Sequence, residues 1–527
     1  FNHQFTGIGE IVNGTFAEAV EYPAANSGPF SMIVSDIDGD TIPDLAIEHL
    51  YGNSVGMYRS IGIVDTIKNY HFSYEADYGA GFFPYTIHRI DVNNDGDLDV
   101  ITVPYYSPFF SIFTNRSTMG TIGFEPRIDI ALNPVGTKFS IAEDLDNDGK
   151  CDIAICVQES SATYIFRNTS TPSNVSFQFI GSIPSSPTAT GILSTDLDGD
   201  GKPELIFSDN SSNYIAIKKN ISSPGNILFG SDIAVNISEK SSSVNNIDAD
   251  SDGRIDLMVT SDENRSFMIL KNISVSGNIT FDLPTHFQLS GFPITSAVND
   301  IDGDGKPDIL ISTTDSTGID IFENYSAANI LFTKALQMPL INMALGLASA
   351  DMNGDEAPEV MITDLHQNTF SLFQNFGGRV TTVNTNTGWN LVSLPRVPID
   401  RTPQEVFRNS VPGSIAGFTG SLYFIPDSMR TGNGYWAYYY LGSTETIAGV
   451  SINTFSLIVP TGNRWILLGS ISNPTSINNI IVTPISALAP GSLFGFNGLQ
   501  YTVPTVLEPG KGYWMYVYQP CTITVTQ

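Results

Sequence analysis

Asp36-Ile37-Asp38-Gly39-Asp40-Thr41-Ile42-Pro43-Asp44 decides the architecture of this chain, because it recurs. Copies begin at Asp91, Asp144, Asp196, Asp248, Asp300 and Asp351, at steps of 55, 53, 52, 52, 52 and 51 residues. Chance does not produce seven nine-residue matches at so regular a period. A period near 50 residues belongs to propellers and solenoids.

Working outward from each copy, a short apolar strand follows, as in Leu45-Ala46-Ile47, Leu205-Ile206-Phe207 and Ile309-Leu310-Ile311. A second strand comes next, as in Tyr164-Ile165-Phe166 and Phe267-Met268-Ile269-Leu270, and then a turn on Asn115, Asn168, Asn220, Asn272, Asn324 or Asn375. A further strand opens on an aromatic residue and leads to the next copy. Four short strands in about 50 residues describe a propeller blade. The aromatic marks Phe72, Phe124, Phe177, Phe229, Phe281 and Phe332 each precede a loop by 19 or 20 residues, and Phe16 does the same before Asp36. No such mark follows Asn375. The segment near Thr15–Tyr22 is therefore expected to supply the outer strand of blade seven and close the ring, which removes two sheet edges. A solenoid of stacked repeats is the competing reading, but it needs no displaced strand at its start.

Side-chain oxygens fall at positions 1, 3, 5 and 9 of every copy. Position 1 is Asp36, Asp91, Asp144, Asp196, Asp248, Asp300 and Asp351. Position 3 is Asp38, Asn93, Asp146, Asp198, Asp250, Asp302 and Asn353. Position 5 is Asp40, Asp95, Asp148, Asp200, Asp252, Asp304 and Asp355, and position 9 is Asp44, Asp99, Asp152, Glu204, Asp256, Asp308 and Glu359. Position 7 varies freely (Ile42, Asp97, Lys150, Lys202, Arg254, Lys306, Ala357), as expected of a residue that offers only its backbone carbonyl. Hard oxygen ligands spaced by two around a tight turn suit Ca²⁺, up to seven ions, one per blade. Mg²⁺ requires a smaller octahedron, and Zn²⁺ requires His or Cys, which none of these positions supplies. Solvated turns are the bland alternative for one such loop, and seven in register weigh against it. Position 6 is Gly in five copies, where the turn calls for positive φ, but Thr41 and Glu356 stand there in blades one and seven. Those two loops are expected to be strained or weaker.

The segment Thr195-Asp196-Leu197-Asp198-Gly199-Asp200-Gly201-Lys202-Pro203-Glu204-Leu205 resembles the FG-GAP/VCBS repeats of integrin α-subunit propellers and of many bacterial secreted proteins. The resemblance extends over residues 1–378. It implies Ca²⁺ held between the first two strands of a blade. It says little about function, because adhesion receptors, lectins, polysaccharide lyases and structural proteins share the repeat.

The expected fold is all-β: a seven-bladed β-propeller (1–378) followed by two small β-sandwich or barrel-like subdomains, 379–460 and 461–527. The second part carries its own duplication. Gly388-Trp389-Asn390-Leu391 pairs with Asn463-Arg464-Trp465-Ile466, and Gly434-Tyr435-Trp436 pairs with Gly512-Tyr513-Trp514. These marks resemble a module appended to bacterial secreted and surface proteins. Their aromatic residues either fill two small cores, stack on carbohydrate, or serve self-association.

Composition narrows the partners. The formal net charge of −30 disfavours nucleic acid and anionic membrane. No apolar run is long enough to span a membrane. Cys151, Cys156 and Cys521 form no disulfide framework and are expected to be buried thiols. The first residue is Phe1, as a processed, secreted chain would have. Sequons at Asn13, Asn115, Asn168, Asn174, Asn210, Asn220, Asn236, Asn264, Asn272, Asn278 and Asn324 suit a glycoprotein, although five of them are the repeated blade turn. No catalytic motif is present; His88 and Arg89, just before the second loop, are the first pair to inspect for catalysis at a propeller mouth. The preferred expectation is a secreted, calcium-stabilised structural or adhesion protein, a subunit of a fibre, sheath or surface layer. Its partners would be other copies of itself, or surface proteins and glycans. A carbohydrate-binding protein or polysaccharide lyase with a site at the propeller mouth is the alternative. A receptor-like ligand-binding head is a third.

Overall fold

The computed structural model describes residue 11 and residues 15–63, 70–132, 136–314, 318–340, 342–353, 357–375, 380–398, 401–462 and 464–526. These fall into two compact units, one spanning Glu18–Asn375 and one made of the remainder.

The first unit holds seven four-stranded antiparallel sheets, and in six of them the strands follow one another in sequence order. In blade four they are Ala189–Thr195, Glu204–Asp209, Tyr214–Asn220 and Phe229–Asn236. The second strand of each blade, such as Asp99–Pro104 or Asp256–Ser261, is buried along its whole length in blades one to six. This explains the unbroken apolar runs after each loop: a strand covered by neighbouring blades on both faces has no polar side to show. The outer strands alternate instead between half-buried and exposed residues, as in Ile233–Asn236 of Phe229–Asn236. Apolar clusters lie between successive blades. One joins Leu197, Ile206 and Ile217 of blade four to Val244, Leu257 and Met268 of blade five.

The seventh sheet is discontinuous in sequence. Ala344–Ala350, Glu359–Asp364 and Thr369–Phe373 are completed by Val20–Pro23, which pairs antiparallel with the last of them, Val20 opposite Leu372 and Tyr22 opposite Phe370. The strand begins at Val20, four residues after the Phe16 mark, just as Ile128–Ala131 and Thr285–Gln288 begin four residues after Phe124 and Phe281. The first strands of blades one and seven also meet, so the sheets form a closed ring.

The second unit is a set of small sheets. Gly388–Ser393 pairs with Gly434–Tyr439, and Arg464–Leu468 pairs with Tyr513–Val517, so the duplicated marks form the same hairpin-like pair twice. The two copies are joined. Ser393 Oγ and Ser470 Oγ lie 2.9 Å apart, and Leu391, Leu467 and Trp514 share one core cluster. A methyl group built on Gly434 would stand 3.4 Å from the Cα of Gly512, so the joint tolerates little beyond glycine there. The sequence division at 460 cuts a sheet, because Thr454–Val459 pairs with Cys521–Thr526. All three cysteines are free thiols, and Cys151 precedes its strand, which starts at Asp152.

Candidate metal centres

Each acidic loop folds around its own carboxylates. Asp196 accepts the backbone N–H groups of Gly199 and Asp200 on Oδ1 and of Gly201 on Oδ2, which winds positions 1 to 6 into a tight turn. The same pattern runs through Asp36 and Asp300, and in shorter form through Asp91, Asp144 and Asp248. Position 5 then accepts the N–H of position 7, as Lys202 donates to Asp200. Two residues of the turn are left-handed. Position 6 has φ between 82° and 98° at its five glycines, and position 4 is left-handed at Gly39, Asn94, Asn147, Gly199, Ser251 and Gly303. Only the first of these demands was read from the sequence; Gly, Asn and Ser at position 4 carried the signal for the second.

Thr41 occupies position 6 of blade one at φ 75°, where a β-branched side chain is strained. Thr41→Gly is expected to stabilise the chain by about 1 kcal/mol, the relief of left-handed strain less the entropy of a glycine. Urea denaturation in the presence of calcium measures it, and a loss of stability would show that the loop accommodates threonine without strain. Glu356, the other departure, lies outside the described residues, as does Asp355.

Position 9 is pinned at both oxygens. Glu204 accepts the N–H of Leu197 at position 2 of its own loop and, at 3.4 Å, the N–H of Asn220 sixteen residues on. Asp44, Asp99, Asp152, Asp256 and Asp308 do the same. All are buried. Burial pushes Asp44, Asp152 and Glu204 up to about 7, Asp99 and Asp256 to about 6 and Asp308 to about 8, against the pull of their backbone donors.

The turn asparagines do more than shape a turn. The Asn220 amide donates to Pro203 O of its own loop and to Leu145 O of the preceding blade's loop, both at 2.9 Å. Asn115, Asn168, Asn272, Asn324 and Asn375 each reach the preceding loop in the same way. They therefore stitch the acidic loops into a continuous belt. The five sequons at these turns are buried with their amides engaged, so they do not accept a glycan. Blade one has Ser60 at this position, and its hydroxyl is buried without a partner.

The acids converge in five blades. Oxygens of Asp36, Asp38 and Asp40, of Asp248, Asp250 and Asp252, and of Asp300, Asp302 and Asp304 lie within 4.8 Å of one another. In blades three and four position 9 takes part: Asp144 with Asp146 and Asp152, and Asp196 with Asp198 and Glu204. Among the described residues, blades two and seven form no such three-acid group. Asn93 donates there to Asp95 instead, and Asn353 to Glu359. The position 7 side chain of blade three turns out of its cluster, where Lys150 Nζ donates to Ser170 O. Lys202, Arg254 and Lys306 donate their backbone N–H to position 5, and the Arg254 and Lys306 side chains also reach that carboxylate, at 3.7 Å from Asp252 and 4.0 Å from Asp304.

The donor set fits a hard cation by a second observation. Asp198 Oδ1 and Asp250 Oδ1 are buried oxygens with no hydrogen-bond partner, although their side chains are 0% and 2% exposed. An orphaned, buried carboxylate oxygen beside two other acids is costly unless a cation satisfies it.

His88 and Arg89 are engaged elsewhere. His88 Nε2 lies 2.7 Å from Ser140 Oγ, and burial lowers its pKa to about 4, so it is a neutral interior group. Arg89 donates to Val34 O.

The FG-GAP-like repeat profile matches residues 144–207, 196–259, 248–311 and 300–362, windows that each run from one acidic loop through the strand beyond the next. Two solved crystal structures of BBS1N in complex with ARL6DN, one soaked with lead and one with mercury, resemble the chain at 8% and 9% identity. Each has a TM-score of 0.48, covering 69% of this chain and 97% of theirs. No curated protein matches the chain. Over residues 144–362 the chain is built of FG-GAP-like repeats, carried on a seven-bladed β-propeller.

Proposed function

We propose that the protein is a secreted, calcium-stabilised scaffold whose C-terminal unit binds the propeller of another copy, making it a subunit of an extracellular assembly. The division of charge carries this reading. All but five of the 54 acids lie in residues 1–378, whereas seven of the 24 basic residues lie beyond them. An acidic ring and a mildly basic partner unit attract across copies rather than repel. The C-terminal unit also shows apolar hairpin tips to solvent, with Leu422 70% and Leu499 92% exposed. Exposed apolar tips of this kind mark interaction surfaces. Calcium supports the extracellular setting, since sites with exposed carboxylates are filled at the millimolar levels found outside cells.

Sedimentation of the purified chain tests the reading. In millimolar calcium and low salt it is expected to form large, ordered species that disperse on chelation or in about 0.5 M salt, where surface attraction is screened. A monomer under all these conditions would sink it.

One observation favours carbohydrate or small-ligand binding as a second reading, and it lies in the C-terminal unit rather than at a propeller mouth. Phe418, Trp465, Phe494, Tyr501 and Trp514 line a cavity of about 410 Å³, and the buried Trp514 indole N–H has no partner. Retention of a monomer on a glycan array, lost in Trp465→Ala, would favour it.

A further inference from the structure

We propose that the side chain immediately before each bridging asparagine sets how tightly that blade's loop holds calcium, so the ring carries graded sites. The inference rests on the calcium reading above and deepens it.

The position is Thr114, Arg167, Lys219, Lys271, Glu323 and Gln374 in blades two to seven, and Arg59 before Ser60 in blade one. In blades three to five a cation turns into the loop. Arg167 Nε lies 2.8 Å from Asp146 Oδ2, and its guanidinium also reaches Asp148. Lys219 pairs with Asp198 and lies 3.8 Å from Asp200, and Lys271 pairs with Asp250. The position 3 carboxylates that they meet have side-chain exposures of 0%, 0% and 2%. These loops are partly neutralised before any metal arrives. Calcium must displace a resident cation, or share its carboxylate with one.

Blade six is the opposite case. Glu323 takes the same position, 6% exposed, beside Asp302 at 1%. Glu323 adds its like charge to that of Asp304 at the Asp302 carboxylate. This loop therefore gathers a fifth carboxylate where blades three to five place a cation, and Lys306 Nζ stands 4.0 Å from its Asp304. In blade one Arg59 turns away to Glu75, at 3.2 Å, and among the described residues no cation pairs with the loop. Ligand charge count tunes calcium loops over orders of magnitude, and one charge at contact distance in a half-buried site shifts affinity by about tenfold or more. Calcium is therefore expected to bind blades six and one more tightly than blades three to five.

The test is titration of the metal-free full chain with calcium against a chromophoric chelator. Wild type is expected to show at least two classes of site. Arg167→Met with Lys219→Met and Lys271→Met should tighten the weak class by about tenfold, while Glu323→Lys should weaken one site of the tight class by at least as much. The same triple variant should melt at a lower temperature than wild type in chelator, because its loops have lost their resident charges. If the triple variant does not fold, Lys219→Met and Glu323→Gln, each altering one loop, decide the matter by moving one site in opposite directions. Uptake of calcium with an unchanged isotherm in these variants overturns the grading. No uptake by any form overturns the calcium reading itself.

Discussion

Chelation is expected to lower the melting temperature of this protein by roughly 20 °C or more at pH 8, and by far less at pH 5. The reason lies in the position 9 carboxyls. Asp44, Asp99, Asp152, Glu204, Asp256 and Asp308 sit at about 6 to 8 in the folded ring, against about 4 in an unfolded chain. Groups raised on folding stabilise the metal-free fold fully below about pH 4, and that contribution is lost as pH rises through 6 to 8. A carboxyl raised tenfold in proton affinity contributes about 1.4 kcal/mol, so six such groups approach the roughly 5–15 kcal/mol that holds a typical domain. Glu48 adds to the same trend, because it is fully buried with both oxygens unpaired and burial holds its carboxyl well above the usual range. Calcium reverses the sign. It binds the ionised carboxylates, so the stabilisation it gives grows with pH over this same window. Melting curves at pH 5 and pH 8, in chelator and in millimolar calcium, should therefore diverge as pH rises. A metal-free melting temperature that is flat or climbs over this range would refute the linkage.

The loops were legible because each carries its whole instruction within nine residues. A carboxylate at position 1, a left-handed turn at position 6 and an acid at position 9 are local demands, repeated until they could not be missed. The aromatic mark at Phe16 was legible for a related reason: it breaks the pattern, and the strand Val20–Pro23 lies beside Thr369–Phe373. The bridging role of the turn asparagines was not. Asn115 meets Ile37 O from 78 residues away and Asn375 meets Ile301 O from 74, and no local rule tells a turn asparagine from one whose amide crosses to another blade. The signal was the constant interval of sixteen residues from position 9, with Ser60 as its exception. A sequon at such a turn records residue types and not burial, so it does not show that the amide is engaged. The cations at Arg167, Lys219 and Lys271 were hidden in the same way, since a basic residue on a strand shows nothing of the loop it folds back upon. In the C-terminal unit the duplication was legible, but the boundary was not. Thr454–Val459 precedes the second copy in sequence while pairing with that copy's last strand.

Replacing Val20–Pro23 with a Gly-Ser sequence is expected to open the ring and destabilise the propeller by more than any single core substitution. The closure rests on four register pairs, Val20 to Leu372 through Pro23 to Thr369, continued by Ala24 N–H donating to Asn368 O at 2.9 Å. Tyr22 anchors them. Its ring stacks on Phe370 at 5.1 Å and meets the edge of Phe72 at 5.2 Å, so one side chain ties Val20–Pro23 to both blade seven and blade one. Tyr22→Ala alone should cost about 3 kcal/mol, the burial of a large aromatic and its ring contacts. Loss of the strand does more, because it bares the edge of Thr369–Phe373, where Phe370 and Leu372 are now fully buried. An exposed apolar edge pairs with other chains. The variant is therefore expected to unfold at lower urea, to associate in a concentration-dependent way, and to regain stability when a synthetic peptide of residues 18–26 is added in trans. That last result separates a lost strand from a general defect, since only a vacant edge can take the peptide as a fourth strand. A variant that melts with wild type, or that ignores the peptide, would mean that the metal loops and blade interfaces hold the ring shut without the pairing of its ends.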